Sequence, residues 1–151
     1  MLVYRPTLAI GAWGRDPALD AVRLGIWLEA LTAVNVEILR RDPSIPRLYS
    51  AGVRYVSPEE QCNGCDEDDP WADVLAVLAA RAGDCEDLAA YLAAERRVRD
   101  GLRSRVVARR EYVPSERRER IHCVTETHFP DPRHRGLYVP RVEDPSHVLR
   151  R

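Results

Sequence analysis

The order of two hydrophobic periodicities along the chain constrains its fold more than any other feature of the sequence. In residues 17–41, apolar side chains recur three and four positions apart, which predicts one long amphipathic helix. Asp-Pro pairs at 16–17 and 42–43 mark the start and the end of this helix. From residue 104 onward, short runs rich in Val, Thr and Tyr alternate with turn residues, as in β-strands. Helices followed by strands favour an α+β fold with an antiparallel sheet.

The shorter elements are predicted from the same signals. A second helix is expected over 71–81, after the Asp-Pro pair at 69–70, and Gly83-Asp84 ends it. A third helix is expected to begin at Cys85 and to run to about Arg99. The predicted strands are 53–56, 104–113, 121–127 and 136–142.

Composition excludes several classes of protein. The chain has 151 residues, of which 45% are hydrophobic and 31% charged, and its formal net charge is −1. These values are typical of a soluble globular domain, and no apolar run reaches the roughly 18 residues of a membrane helix. Ten arginines lie between residues 96 and 120, but Tyr112 is the only aromatic among them, so no nucleic-acid partner is predicted.

The basic residues and the cysteines further restrict the reactions that the chain can carry out and the compartment in which it is expected. All 23 basic residues are arginines, which excludes a lysine Schiff base and a P-loop lysine. The four cysteines are too few for a disulfide scaffold, which favours a reducing, cytoplasmic compartment. No cofactor is predicted.

Cys85 is the candidate nucleophile, because it follows the Gly-Asp break and opens a helix. The free N–H groups and partial positive charge of a helix N-terminus stabilise a thiolate, so a lowered thiol pKa is expected. His122, in a strand-like run, is predicted to be the general base, and Asp144 is predicted to orient its imidazole. The alternative for Cys85 is a buried, inert helix cysteine.

Residues near the nucleophile are assigned to supporting roles. Trp71 and Asp84 form the predicted substrate and oxyanion group, with Trp71 walling the cleft and Asp84 capping the helix of the nucleophile. Glu86 and Asp87 are expected to complement the helix dipole rather than to face the thiol.

Cys62 and Cys65 have the spacing of one half of a zinc ribbon. A second Cys-x-x-Cys pair is missing from the sequence, so these two residues are only weak metal candidates. A disulfide between them and two plain loop cysteines remain the alternatives.

Three motifs together resemble the transglutaminase-like cysteine peptidase superfamily. They are the Gly-Asp-Cys-Glu-Asp-Leu-Ala run of 83–89, His122 within a strand, and Asp-Pro-Ser at 144–146. The gaps of 37 residues (122 − 85) and 22 residues (144 − 122) suit such a compact core. The resemblance covers about residues 53–149, and the closing segment is similar to small versions encoded by tailed phages and prophages.

The resemblance implies both a fold and an activity. The implied fold is a papain/transglutaminase-like core in residues 53–151, where the Cys85 helix packs on an antiparallel sheet that carries His122 and Asp144. Residues 1–52 would then be an added arm and long helix. The implied activity is that of a cysteine hydrolase or acyltransferase acting on amide bonds of a protein or peptide.

A second function is also compatible with the resemblance. The fold would serve as an interaction module in a phage or phage-like particle, at the head–tail junction or in the tail. Its partners would then be other virion proteins or further copies of the chain.

In one departure from the family pattern, Cys123 follows His122 where an aliphatic residue is more common.

Overall fold

The computed structural model describes residues 16–57, 71–114 and 117–150, and these residues form an α+β fold. The helices are α1 (Pro17–Arg41), a 3-10 helix (Leu48–Ser50), α2 (Val74–Ala80), α3 (Cys85–Arg99) and α4 (Pro145–Val148). The strands are β1 (Arg54–Tyr55), β2 (Ala82–Gly83), β3 (Arg103–Val113), β4 (Arg118–Pro130) and β5 (Tyr138–Glu143). Among the described residues, no helix is both long enough and apolar enough to cross a membrane.

The long first helix has the boundaries that its sequence signals predict. The Asp16 side chain accepts hydrogen bonds from the backbone N–H groups of Ala18 and Leu19, and Pro17 occupies the first helical position. At the other end, the Asp42 N–H donates to the carbonyl of Ile38. Local capping chemistry is therefore enough to define α1.

The second helix begins three residues later than predicted. Asp73 rather than the Asp69-Pro70 pair provides the cap, because its side chain accepts from the Ala76 N–H at 3.0 Å. Asp69-Pro70 lies outside the described residues. Arg81, with φ of 53° in the left-handed region, ends α2. Trp71 consequently lies in the segment that precedes the helix.

Strands β3, β4 and β5 form an antiparallel sheet in that order. Ala108 pairs with Cys123 between β3 and β4, and Thr125 pairs with Glu143 between β4 and β5. The strand β4 is longer at both ends than the predicted 121–127. A separate two-stranded parallel sheet joins β1 to β2, a two-residue strand that the sequence analysis did not predict.

Helix α3 lies at the centre of the molecule and packs against the other elements. Its buried Leu88 and Leu92 share one core with Leu39 of α1 and Val74 of α2. On its other side, the Thr125 hydroxyl of β4 donates to the Ala89 carbonyl of α3 at 2.9 Å. The first half of α3 is therefore joined to the sheet by a hydrogen bond.

Candidate active site

Cys85 occupies the first position of α3, as predicted from the Gly-Asp break. Asp84 caps this helix: its side chain accepts from the Asp87 N–H at 3.2 Å, and the Asp87 side chain accepts from the Asp84 N–H in return. Asp84, predicted to belong to the substrate and oxyanion group, is thus a buried helix cap. The Asp87 carboxylate also accepts from the Ala72 N–H at 2.7 Å, which ties the segment of Trp71 to the start of α3.

His122 and Asp144 form a direct pair beside Cys85. The Nε2 atom of His122, on β4, lies 2.9 Å from Oδ2 of Asp144. Asp144 directly follows β5 and is the N-cap of α4, where its Oδ1 accepts from the His147 N–H at 3.2 Å. Its position is thus fixed by two contacts, one to each oxygen.

The charge state of His122 reflects its two neighbours. Its pKa is raised to about 9, because the Cys85 sulfur and the Asp144 carboxylate both stabilise the imidazolium, while partial burial acts the other way. The Cys85 sulfur and the Asp144 carboxylate both interact with the His122 imidazole. The structure therefore brings Cys85, His122 and Asp144 close together.

The thiol of Cys85 is harder to ionise than the sequence suggested. Its pKa is raised above the ordinary value, first because of the neighbouring Cys123 thiol and then because the sulfur is buried. Contacts with His122 and Glu86 act in the opposite direction. The prediction of a lowered pKa is therefore wrong: burial and the second thiol outweigh the N-terminus of α3. At neutral pH Cys85 carries its proton, and ionisation needs a base beside it.

Two residues next to the thiol were not predicted as part of the site. The Cys85 thiol donates to Oε2 of Glu86 at 3.0 Å, so Glu86 faces the sulfur, contrary to the expectation that it would only complement the helix dipole. The pKa of Glu86 is raised to about 8, chiefly by burial and then by the charge of a Cys85 thiolate. Cys123 is 2% exposed and packs against Cys85.

A sequence signal for Cys123 did exist. Side chains alternate between the two faces of a strand, so in the predicted strand 121–127 Thr125 and Thr127 share one face, opposite the charged Glu126. In the structure both threonines are fully buried. Cys123 continues that series, two positions earlier on β4. Strand alternation could therefore have placed Cys123 on the inward face, although not at contact distance from Cys85.

The site is walled by apolar side chains from the preceding elements. Leu28 of α1 belongs to the same buried cluster as Cys85, and Leu24 and Trp71 pack against that cluster. The Trp71 ring meets the Trp27 ring edge to face, with centroids 6.0 Å apart and an interplanar angle of 79°. This wall leaves Cys85 only 7% exposed. Trp71 thus contributes packing beside the thiol.

The weak metal candidates, Cys62 and Cys65, lie outside the described residues. Comparisons of the chain with protein-family models, with curated proteins and with solved structures give no match.

Proposed function

We propose that this chain is a cysteine-nucleophile acyl-transfer enzyme with a transglutaminase-like, papain-like core. One observation carries the proposal: the 2.9 Å His122–Asp144 pair lies beside a cysteine that opens a helix packed on the sheet. A nucleophile, a base and a group that orients the base are the three parts that covalent catalysis of this kind requires.

The proposal gives each nitrogen of the imidazole a role. Nε2 is engaged with Asp144, so Nδ1 is the nitrogen left to take the proton of the Cys85 thiol. The pKa of His122 is raised to about 9, so the imidazole accepts this proton in its neutral form, whose population grows as the pH rises toward 9. The neighbouring Cys123 and burial keep the Cys85 thiol protonated over the same range, so the transfer accompanies attack rather than preceding it. Asp144 stabilises the imidazolium that forms.

The proposed reaction has two halves. The Cys85 sulfur bonds to an amide carbonyl carbon, the C–N bond breaks, and His122 returns its proton to the leaving amine. In the second half, His122 takes a proton from water or from an acceptor amine, which then attacks the thioester and releases Cys85. Hydrolysis is favoured over crosslinking, because water is always present, whereas amine transfer needs a dedicated acceptor pocket. The substrate is a protein or peptide.

The exposed face of α1 supports a second candidate function. Leu19, Val22 and Ile26 are 44%, 58% and 64% exposed, and their spacing of three and four places them on one side of the helix. An exposed apolar stripe marks a surface for a partner. Together with the covered thiol, this stripe fits a structural component of a phage or phage-like particle that uses the transglutaminase-like fold as an assembly module.

One experiment separates the two candidates. Wild-type protein and Cys85→Ala are incubated with a proteome-derived peptide mixture in ¹⁸O-water that contains a tagged primary amine. The enzyme proposal predicts ¹⁸O in new carboxyl groups, or the tag on acyl groups, with wild type alone. Equal thermal unfolding of the two proteins shows that Cys85→Ala is folded. Absence of both products, with co-sedimentation of the protein with particles, would favour the assembly module.

A further inference from the structure

We infer that Cys85, Glu86 and Cys123 form a binding site for a thiophilic divalent cation, with zinc as the expected ion. Two sulfurs and a carboxylate oxygen from these residues all lie within 4.8 Å of one another. The site shares Cys85 with the proposed nucleophile, but it does not require that the protein turns over any substrate.

The distances between the three atoms suit an ion with tetrahedral coordination. Zinc–sulfur bonds of about 2.3 Å and zinc–oxygen bonds of about 2.0–2.2 Å place two ligands of one ion roughly 3.4–3.8 Å apart. The Cys85 sulfur and the Glu86 oxygen are 3.0 Å apart, and no pair in the group exceeds 4.8 Å. Side-chain adjustments of about 1 Å would therefore bring all three atoms to bonding distance.

The backbone already holds the three side chains in position. Cys85 and Glu86 are consecutive residues in the first turn of α3, and Cys123 lies in β4, opposite Ala108 of β3. The bond from the Thr125 hydroxyl to the Ala89 carbonyl joins the helix to this strand one turn further along. A site supported by two rigid elements is pre-organised for its ligand.

The ligand types select the kind of ion. Thiolates favour zinc and other soft ions over magnesium and calcium, which prefer oxygen. On binding, each thiol loses its proton to solvent, and two sulfur–metal bonds form without any change of oxidation state. Three protein ligands leave one coordination position for water. An ion bound in this way occupies the Cys85 sulfur and blocks its use as a nucleophile.

Cobalt(II) is the probe for the test, because thiolate-to-cobalt charge-transfer absorption reports sulfur ligation directly. The background protein carries Cys62→Ser and Cys65→Ser, since that pair could bind the ion on its own. In this background we expect one cobalt per chain, displaced by one zinc. Cys123→Ala should weaken binding by more than the ~10–100-fold that loss of an outer-shell partner costs. Cys123→Ser serves as a second variant if the alanine protein is unfolded.

Two further variants test the carboxylate ligand and provide a control. Glu86→Gln should weaken binding while keeping the sulfur absorption. Glu126→Gln removes a carboxylate on β4 that pairs with Arg105, and it should bind cobalt like the background protein. A background protein without the absorption band would overturn the inference, and so would an unchanged band in Cys123→Ala.

Alkylation of Cys85 provides an independent readout. Zinc should protect Cys85 from iodoacetamide in the background protein, and a chelator should restore labelling. In chelator alone, dependence of the labelling on His122 tests the proposed enzyme function separately. Loss of that dependence with retained cobalt absorption would remove the enzyme proposal and leave the metal site standing.

Discussion

Replacement of Asp144 by Asn tests the link between this residue and the reactivity of Cys85. Asn keeps the shape of the side chain and can still cap α4 through its oxygen, so the fold should be preserved. What it removes is the negative charge 2.9 Å from Nε2 of His122. The imidazolium is then less stable, and the pKa of His122, raised to about 9 in the native protein, falls.

The size of the effect follows from the hydrogen bond that changes. A bond to a charged group contributes about 1.5–3 kcal/mol and a neutral one about 0.5–1.5 kcal/mol. Because 36% of the Asp144 side chain is exposed, solvent screening favours the lower end of that difference, about 1 kcal/mol. Since one pKa unit corresponds to about 1.4 kcal/mol, the population of the thiolate–imidazolium pair relative to the thiol–imidazole pair should fall about fivefold.

The assay is the rate of iodoacetamide labelling of Cys85 at pH 10, followed on its peptide by mass spectrometry in the presence of a chelator. This pH lies above the pKa of His122, about 9, so the starting pair is a thiol and a neutral imidazole. Asp131→Asn is the matched control, since Asp131 makes the same kind of pair with His134, at 3.0 Å, in the turn after β4. We expect labelling to fall by about fivefold in Asp144→Asn and to be unchanged in Asp131→Asn. Wild-type labelling of Asp144→Asn would refute the reasoning, and so would an equal loss in the control.

Two further predictions concern stability and the second thiol. Glu95→Ala removes the carboxylate that accepts from the buried Leu48 N–H at 2.8 Å, so it should destabilise the protein by about 1–3 kcal/mol. Glu37→Ala, which breaks an exposed pair, should cost only about 0.3–0.5 kcal/mol, and equal costs in urea denaturation would contradict this account. Cys123→Ala removes the largest influence that raises the pKa of Cys85. The rate of Cys85 alkylation should therefore rise at a lower pH in this variant than in wild type. An unmoved profile would show that Cys123 does not control the thiol.

Local chemistry explains the parts of the fold that the sequence could predict. The starts of α1 and α3 depend on Asp16 and Asp84, whose side chains accept from N–H groups two or three residues away. Such contacts involve only neighbouring residues and are visible in the sequence. The α+β class also follows, because the helical and strand periodicities are separated along the chain.

Long-range packing explains what the sequence could not show. The strand β2 has two residues, and it exists because β1 lies beside it. The raised pKa of Cys85 depends on Cys123, a residue 38 positions away (123 − 85) that the sheet brings to the thiol. No local pattern at Cys85 carries that information. The packing of Leu24 and Trp71 against the cluster that contains Cys85 likewise arises from tertiary contacts.

The pH dependence of Cys85 alkylation, compared between wild type and His122→Ala in chelator, tests the central claim most directly. A free cysteine titrates near pH 8.5 or so, whereas a thiol that is buried beside Cys123 needs His122 to take its proton. Wild type is expected to label at a distinctly lower pH than His122→Ala, because contact with His122 lowers the pKa of Cys85. Identical profiles for the two proteins would contradict it, because Cys85 would then react without any help from His122.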